Sequence, residues 1–130
     1  MFRYSIFFAV LSMPLSGPAG ADAALECGVQ VSSQVEIGSC VSAQVGIANQ
    51  ALAEALGFAQ DAATELDEVT GREVAVPALV DAQSAWLTYR DAQCSYSAAL
   101  LGGGSGAGIT EGACHVALTR ARIAELLGSL

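Results

Sequence analysis

The chain contains no lysine, and its five arginines face thirteen acidic residues, for a formal net charge of -8. Nucleic acids and anionic membranes would be repelled by this charge, so neither is expected as a partner. A basic protein would instead be attracted and steered by the same field. Acidity also keeps a small domain soluble, and charge alone does not choose between these two roles.

The residues that usually carry catalysis or bind metals are scarce. His115 is the single histidine, and it follows Cys114 without the CxxCH pattern of haem attachment. No cysteine pair has the CxxC spacing of zinc or redox motifs. The glycine-rich stretch at 102–108 lacks the lysine and the preceding strand of a phosphate-binding loop. We therefore predict no catalytic residue, no metal site and no cofactor, and we do not expect an enzyme.

The N-terminal segment has the order of a secretory signal. Arg3 precedes a short apolar run, which Pro14 and Pro18 interrupt before a group of small residues. Small-x-small patterns place the mature start between Asp22 and Ala24. The run is too short to remain as a comfortable membrane span. Residues 1–23 are thus expected to be a signal peptide and residues 24–130 an exported domain, either periplasmic or secreted.

Four cysteines follow the expected cleavage point, and an even number in an exported chain predicts disulfides. Three pairings are possible. Pairing Cys27 with Cys40 and Cys94 with Cys114 is favoured because each bond then closes a short loop within one local unit. Loops of this size would each stabilise the fold by roughly 3 kcal/mol.

Apolar residues recur at steps of three and four from Cys40 to Val69 and predict a long amphipathic helix that ends at Gly71. Ser33 and Glu36 match a capping box and predict a brief separate helix between the first two cysteines. The expected inward face of the long helix consists of Val41, Val45, Ala48, Leu52, Ala55, Ala59, Ala63, Leu66 and Val69.

Pro77 suits the first turn of a second helix, and a third is expected from near Thr110 to the C-terminus. The second helix is predicted to turn Leu79, Ala82, Trp86, Tyr89, Gln93, Tyr96 and Leu100 inward. The third is predicted to bury Ala113, Val116, Ile123, Leu127 and Leu130, with Leu118 and Leu126 beside them. The fold class is therefore all-α: a small bundle in which a long first helix packs on a helical hairpin, with two disulfides.

Between the last two helices, the glycine-rich stretch predicts a loop held at both stems if Cys94 and Cys114 are bonded. Such a loop could enter the cleft of a partner, or it could be a mobile connector. In the helix before it, Trp86 and Tyr89 are one turn apart and are expected to wedge into the core, while Arg90 meets a carboxylate such as Asp91. If Trp86, Tyr89 and Arg90 were instead exposed, they would form a binding hot spot.

Two features resemble the LprI-like lysozyme-inhibitor family of small exported helical domains. One is the segment Ser33-Gln34-Val35-Glu36-Ile37 before Cys40, and the other is the ordered set of four cysteines with the glycine run. The chain differs from the family's usual composition in having no lysine, and Ile37-Gly38 replaces a more helix-favouring pair. Further residues that carry the resemblance are Trp86, Tyr89, Arg90, Asp91, Leu118, Thr119, Arg122 and Leu126.

The resemblance implies an exported binding protein that inhibits lysozyme or another basic cell-wall hydrolase. An acidic domain with a constrained loop suits a basic enzyme with an open cleft. Candidate contacts are Gly103, Gly104 and Ser105 with the nearby carboxylate of Glu111. The alternative function is an envelope structural or stress-accessory domain that binds another protein or a glycan.

Overall fold

The computed structural model describes residues 22–130, so the predicted signal peptide lies outside the described residues except for its last two positions. The described chain forms four helices and no strand: α1 (Ala23–Gly28), α2 (Gln34–Thr70), α3 (Ala75–Ala99) and α4 (Ser105–Gly128). The all-α prediction is confirmed. The short α1 was not predicted.

Local sequence signals explain where α2 begins and ends. Ser33 Oγ accepts a hydrogen bond from the N–H of Glu36 at 3.2 Å, and the Glu36 carboxylate accepts one from the N–H of Ser33 at 3.3 Å. This is the predicted capping box. It starts the long helix itself, so the prediction of a separate brief helix before Cys40 was wrong. Gly71 ends the helix in the left-handed conformation, with φ of 66°, as expected.

The long helices are packed so that α2 and α4 run in the same direction and α3 runs opposite to both. Gly38 faces Ile109 and Gly112 faces Val41 near the start of the pair, while Ala59 and Leu126 share a cluster near the end of α4. The central cluster consists of Leu52, Ala55, Ala59 and Leu126, with Leu56, Leu79, Trp86 and Ile123 packed against it. A second cluster joins Ala23 of α1 to Ala113 and Val116 of α4.

Both predicted disulfides are present. Cys27 is bonded to Cys40 and Cys94 to Cys114, and among the described residues no cysteine is free. The first bond ties α1 to the start of α2, and the second ties the end of α3 to α4. Together they hold the end of the bundle that contains α1 and the α3–α4 connection.

The apolar face predicted for α2 is buried only as far as α4 reaches. Val41, Ala48, Leu52, Ala55 and Ala59 are buried, whereas Leu66 and Val69 are 55% and 79% exposed. Leu126 of α4 packs near Ala59, and beyond this point a partly open pocket separates α2 from the start of α3 and the last residues of the chain, Ser129 and Leu130. The periodicity of α2 was correct, but the sequence did not show how far its partner helix extends.

The start of α4 and the outward parts of its predicted face required correction. The helix begins at Ser105 instead of near Thr110, so Gly106 and Gly108 are helical. Ile109, one turn from Ser105, contacts Gly38 of α2, and this packing supports a first turn that its glycines alone would weaken. Leu127 and Leu130 were predicted to point inward but are 45% and 62% exposed.

Candidate partner-binding site

The loop between α3 and α4 is formed by residues 100–104 and is exposed throughout. Gly102, Gly103 and Gly104 have φ values of 66°, 105° and 93°, a region that residues with a side chain rarely adopt. A Cβ at any of the three would meet no atom within 4 Å, so backbone conformation and not crowding requires glycine here. The result is a narrow tip without side chains.

Two large apolar side chains stand at the start of this tip. Leu100 is 67% exposed and Leu101 is 51% exposed, while Tyr96, one turn earlier in α3, is 59% exposed. Tyr96 and Leu100 were predicted to point into the core, and that prediction was wrong. The α3–α4 loop therefore presents bare backbone beside exposed apolar surface, which is a composition suited to contact with a partner.

The stems of the loop are held together. The disulfide between Cys94 and Cys114 closes the hairpin across 20 positions of sequence. One residue further along α3, the Ser95 hydroxyl donates a hydrogen bond to Glu111 Oε1 at 3.2 Å. These links restrict the loop before any partner binds, which reduces the entropy lost on binding.

The four proposed contact residues do not lie in one place. Gly103, Gly104 and Ser105 are at the tip, and all three are exposed. Glu111 lies six residues into α4 from Ser105, about 9 Å along the helix axis, and is half-buried. Its carboxylate belongs to the stem, where it accepts the hydrogen bond from Ser95 and lines a shallow cleft of about 270 Å³ with Gly112 and His115.

The Trp86–Asp91 segment has a different orientation from the one expected. Tyr89 is 53% exposed and does not wedge into the core. Arg90 takes the inward position instead, because it follows Trp86 by four residues and lies on the same side of α3. Its guanidinium carbon stands 5.2 Å from the centre of the Trp86 ring, and its side chain is only 12% exposed.

Arg90 links all three long helices. It donates hydrogen bonds to Asp91 Oδ1 at 3.1 Å, to Asn49 Oδ1 of α2 at 3.2 Å and to Thr119 Oγ1 of α4 at 3.4 Å. Thr119 is 1% exposed, and this contact gives its hydroxyl a partner. The expected pairing of Arg90 with Asp91 is present. These contacts form a scaffold for the bundle that consists of Trp86, Arg90, Asp91 and Thr119. Since Trp86 and Arg90 are engaged within the fold, they do not form an exposed binding hot spot.

A second arginine network ties α1 to the bundle and was not found from the sequence. Arg120 donates to both carboxylate oxygens of Glu26, at 3.0 and 3.2 Å, and to Gln44 Oε1 at 3.5 Å. The hydrogen bond from Arg120 lowers the pKa of the Glu26 carboxyl, while partial desolvation opposes this change. Glu26 and Arg120 are 94 residues apart, so no local spacing signals their contact.

Arg122, another of the residues that carry the family resemblance, lies on the neighbouring side of α4. It donates to Gln83 of α3 at 3.1 Å and pairs with Glu125 at 3.2 Å. Arg90, Arg120 and Arg122 therefore direct their charge toward other residues of the same chain. The surface contribution of these cations is reduced, and the outward charge is dominated by carboxylates.

The acidic group at the end of α2 contains one carboxylate with a definite role. Asp67 accepts hydrogen bonds from the N–H groups of Val74, Ala75 and Val76 at 3.1, 2.8 and 3.0 Å. The bonds from Val76 and Ala75 are the main reason that the pKa of this carboxyl is lowered. Val74 is the N-cap residue of α3, and its side chain makes no capping hydrogen bond. The carboxylate of Asp67, seven residues earlier, caps the helix instead. Glu68 and Arg72 have the i,i+4 spacing of a helical ion pair, but within the described residues they form none, because the helix ends at Gly71 and Arg72 lies beyond it.

Chemistry at His115 is restricted by its neighbours. Its Nδ1 atom is 3.8 Å from Asp91 Oδ1, and the adjacent Cys114 is bonded to Cys94. The sulfur beside His115 is therefore oxidised and is not a thiolate nucleophile. Between residues 22 and 130, no cluster of three or more His, Cys, Asp or Glu side chains could hold a metal ion. In the same range, no helix is both long and apolar enough to cross a membrane.

These features define a class: a small, acidic, disulfide-linked helical domain that presents a constrained glycine loop. The family model described as lysozyme inhibitor LprI matches residues 27–126, from the first cysteine to Leu126 of the core. The chain belongs to this family. No curated protein and no solved structure matches it.

Proposed function

We propose that this protein is an exported inhibitor that binds a basic cell-wall hydrolase of the lysozyme class. The family match over residues 27–126 is the observation that carries the proposal. A site outside the cytoplasm is supported by the two disulfides, which form and persist in oxidising compartments, and by the secretory pattern of residues 1–23.

The α3–α4 loop is the element that we propose enters the substrate cleft of the enzyme. Gly103, Gly104 and Ser105 form an exposed tip with little side-chain bulk, and Leu100 and Leu101 supply exposed apolar area beside it. The disulfide at its stem supports this role because a loop that is already restricted loses less entropy on insertion. Glu111 would add negative charge behind the tip and stay bonded to Ser95.

The charge of the domain supports a basic target. Residues 22–130 contain thirteen acidic residues and four arginines, which leaves -9 with His115 neutral. Three of those arginines are engaged within the fold. Most carboxylates on the surface have no arginine partner. A cationic enzyme would therefore encounter this domain faster than a neutral protein would.

The test is hydrolysis of bacterial cell walls by lysozyme while the oxidised protein is titrated in. We expect inhibition that reaches completion near one inhibitor per enzyme. Replacing both apolar residues of the tip (Leu100→Ser with Leu101→Ser) should weaken inhibition at least tenfold, because their contact area is lost. The matched control is Leu66→Ser with Val69→Ser, which removes two exposed apolar side chains at the opposite end of the bundle.

Two results would contradict the proposal. If stoichiometric amounts of the protein inhibit neither a c-type nor a g-type lysozyme, the proposed function is wrong. If the two double variants weaken inhibition equally, the protein is still an inhibitor, but the α3–α4 loop is not the inhibitory element. Circular dichroism of each variant establishes that the fold is unchanged.

A further inference from the structure

A second surface lies on α2 and α3, far from the α3–α4 loop. It is a groove of about 530 Å³ between the two helices, and no residue of α4 lines it. It therefore lies on the side of the α2–α3 pair that α4 does not cover. We call it the α2–α3 groove; its apolar lining includes Leu56, Gly57, Leu79, Val80 and Leu87.

Leu56 and Leu79 of the lining also pack against the central cluster, while the rest of the groove is accessible apolar surface. Val80 is 56% exposed and Leu87 is 38% exposed, although both stand beside residues that pack inward. Gly57 widens the groove, since a Cβ at this position would meet no atom within 4 Å. Two antiparallel helices with an open apolar seam accept a further helix in the same way that bundle helices accept one another.

Carboxylates border the groove on both helices. Glu54 and Asp61 are each one turn from Gly57 on the same side of α2, and Asp81 of α3 is one turn from Ser84 of the lining. All three are exposed, and within residues 22–130 none has an ion pair. The lining itself is uncharged, and its residue Gln83 accepts a hydrogen bond from Arg122, a cation that is paired with Glu125. The free charge beside the groove is therefore negative.

We propose that the α2–α3 groove binds a basic amphipathic helix of a partner protein. Apolar side chains of that helix would lie against Val80 and Leu87, and its lysines or arginines would meet the carboxylates of the border. A second copy of this chain fits less well, because its own border would bring like charges together. The proposal is separate from hydrolase inhibition: Leu87 and Leu100 are thirteen residues apart on α3, about 20 Å, so both surfaces can be occupied at once.

The test uses an 18-residue peptide of leucine and lysine in which leucines repeat at helical spacing, with fluorescence anisotropy as the readout. A peptide of the same pattern with glutamate in place of lysine is the charge control. We expect the lysine peptide to bind with 1:1 stoichiometry and to gain helicity on binding. The glutamate peptide should not bind.

A variant that fills the groove separates specific docking from general attraction of a cation to an acidic protein. Gly57→Leu should lower the affinity for the lysine peptide at least tenfold. Leucine favours helix more than glycine does, so this variant should fold at least as well as the wild type, which thermal denaturation checks. The matched control is Gly46→Leu: Gly46 is also in α2, is also free of neighbours within 4 Å, and lies about 16 Å from Gly57 along the helix. It should bind within twofold of the wild type.

The proposal is overturned if Gly57→Leu binds as the wild type does, if Gly46→Leu loses as much affinity, or if the glutamate peptide binds equally well. Lysozyme inhibition is measured on the same variants. Groove-dependent binding of the peptide by a protein that inhibits no lysozyme would refute the proposed function and leave this site in place. Inhibition that Gly57→Leu leaves unchanged, together with loss of peptide binding, would support two independent surfaces.

Discussion

Gly112 of α4 packs directly against α2. A Cβ built there would lie 2.7 Å from Cγ1 of Val41, a side chain that is 2% exposed. Contacts this short do not persist, so Val41 or the helix axes would have to move. Gly108 lies one turn earlier in α4, and a Cβ built there would meet no atom within 4 Å. The two glycines share a helix and differ only in what they face.

We therefore predict opposite effects for the two alanine substitutions. Gly112→Ala should lower the free energy of unfolding by about 1–3 kcal/mol, the usual cost of overpacking a core. Gly108→Ala should leave it unchanged or raise it by up to about 1 kcal/mol, because alanine is the better helix former. Urea denaturation measures both. Equal effects of the two substitutions would mean that the close approach of α4 to α2 is absent in solution.

The sequence allows signal cleavage after Ala21 or after Ala23, and the contacts of the residues around these two sites favour the first. The Asp22 carboxylate accepts a hydrogen bond from the N–H of Ala24 at 2.9 Å and caps α1. Ala23 is fully buried against Ala113 and Val116. Cleavage after Ala23 would remove both contacts, whereas cleavage after Ala21 would keep them.

We predict that the exported protein begins at Asp22. Intact-mass and N-terminal peptide measurements on protein recovered from the periplasm or medium check this directly. Protein that begins at Ala24 would contradict this prediction, and a retained N-terminus would contradict the signal peptide itself.

At the scale of the helices, the connection between α2 and α3 depends on one carboxylate. Asp67 accepts three backbone N–H groups at the start of α3, and these bonds lower its pKa below the ordinary value of 3.8. A carboxyl whose pKa is depressed by folding stabilises the fold above its unfolded pKa. That contribution is lost as the pH falls through the folded pKa.

Asp67→Asn should consequently be less stable than the wild type near neutral pH, and the difference should shrink below about pH 4 as the wild-type carboxyl is protonated. Glu26 and Glu36 also have lowered pKa values, but they are the same in both proteins and cancel in the comparison. Thermal melts across the range from pH 2 to pH 7 measure the effect. The control is the neighbour Glu68→Gln, and a constant gap between Asp67→Asn and the wild type at every pH would contradict the assigned role.

The helices also show which parts of the fold were accessible from the sequence. The capping box at Ser33 and the end at Gly71 depend on residues close in sequence, and both were predicted. The inward position of Arg90 was not predicted. A charged residue is expected to face solvent unless its partners are known, and here these are Asn49 and Thr119. The role of Asp67 was not predicted either, since its three bonds cross a turn to residues seven to nine positions later.

For the molecule as a whole, the fold class and the favoured disulfide pairing were predicted from the sequence, while the distribution of charge was not. An even number of cysteines with short sequence separations predicted the two disulfides, and helical periodicity predicted the bundle. The sequence favoured the glycine loop with Glu111 as the acidic contact, yet Glu111 lies in the stem and is bonded to Ser95. The carboxylates without an arginine partner are concentrated at the other end, because Arg90, Arg120 and Arg122 pair with Asp91, Glu26 and Glu125.

This distribution leads to a prediction about the rate of binding. Seven of the thirteen carboxylates lie between residues 54 and 81, where Arg72 is the single cation. If a basic hydrolase is the target, their field should accelerate encounter even when the carboxylates do not touch the enzyme. Screening shortens this field from about 30 Å at 0.01 M salt to about 3 Å at 1 M.

We expect the association rate constant with lysozyme to fall at least tenfold between about 0.01 M and 0.5 M salt. The dissociation rate constant should change much less, because contacts made by the apolar loop are not screened. Stopped-flow fluorescence measures the first and competition with excess unlabelled protein the second. Lysozyme with acetylated lysines is the matched control, since it keeps the cleft but loses positive charge. An association rate that ignores salt, or that is the same for the acetylated enzyme, would show that long-range charge does not steer this complex and that recognition rests on the loop alone.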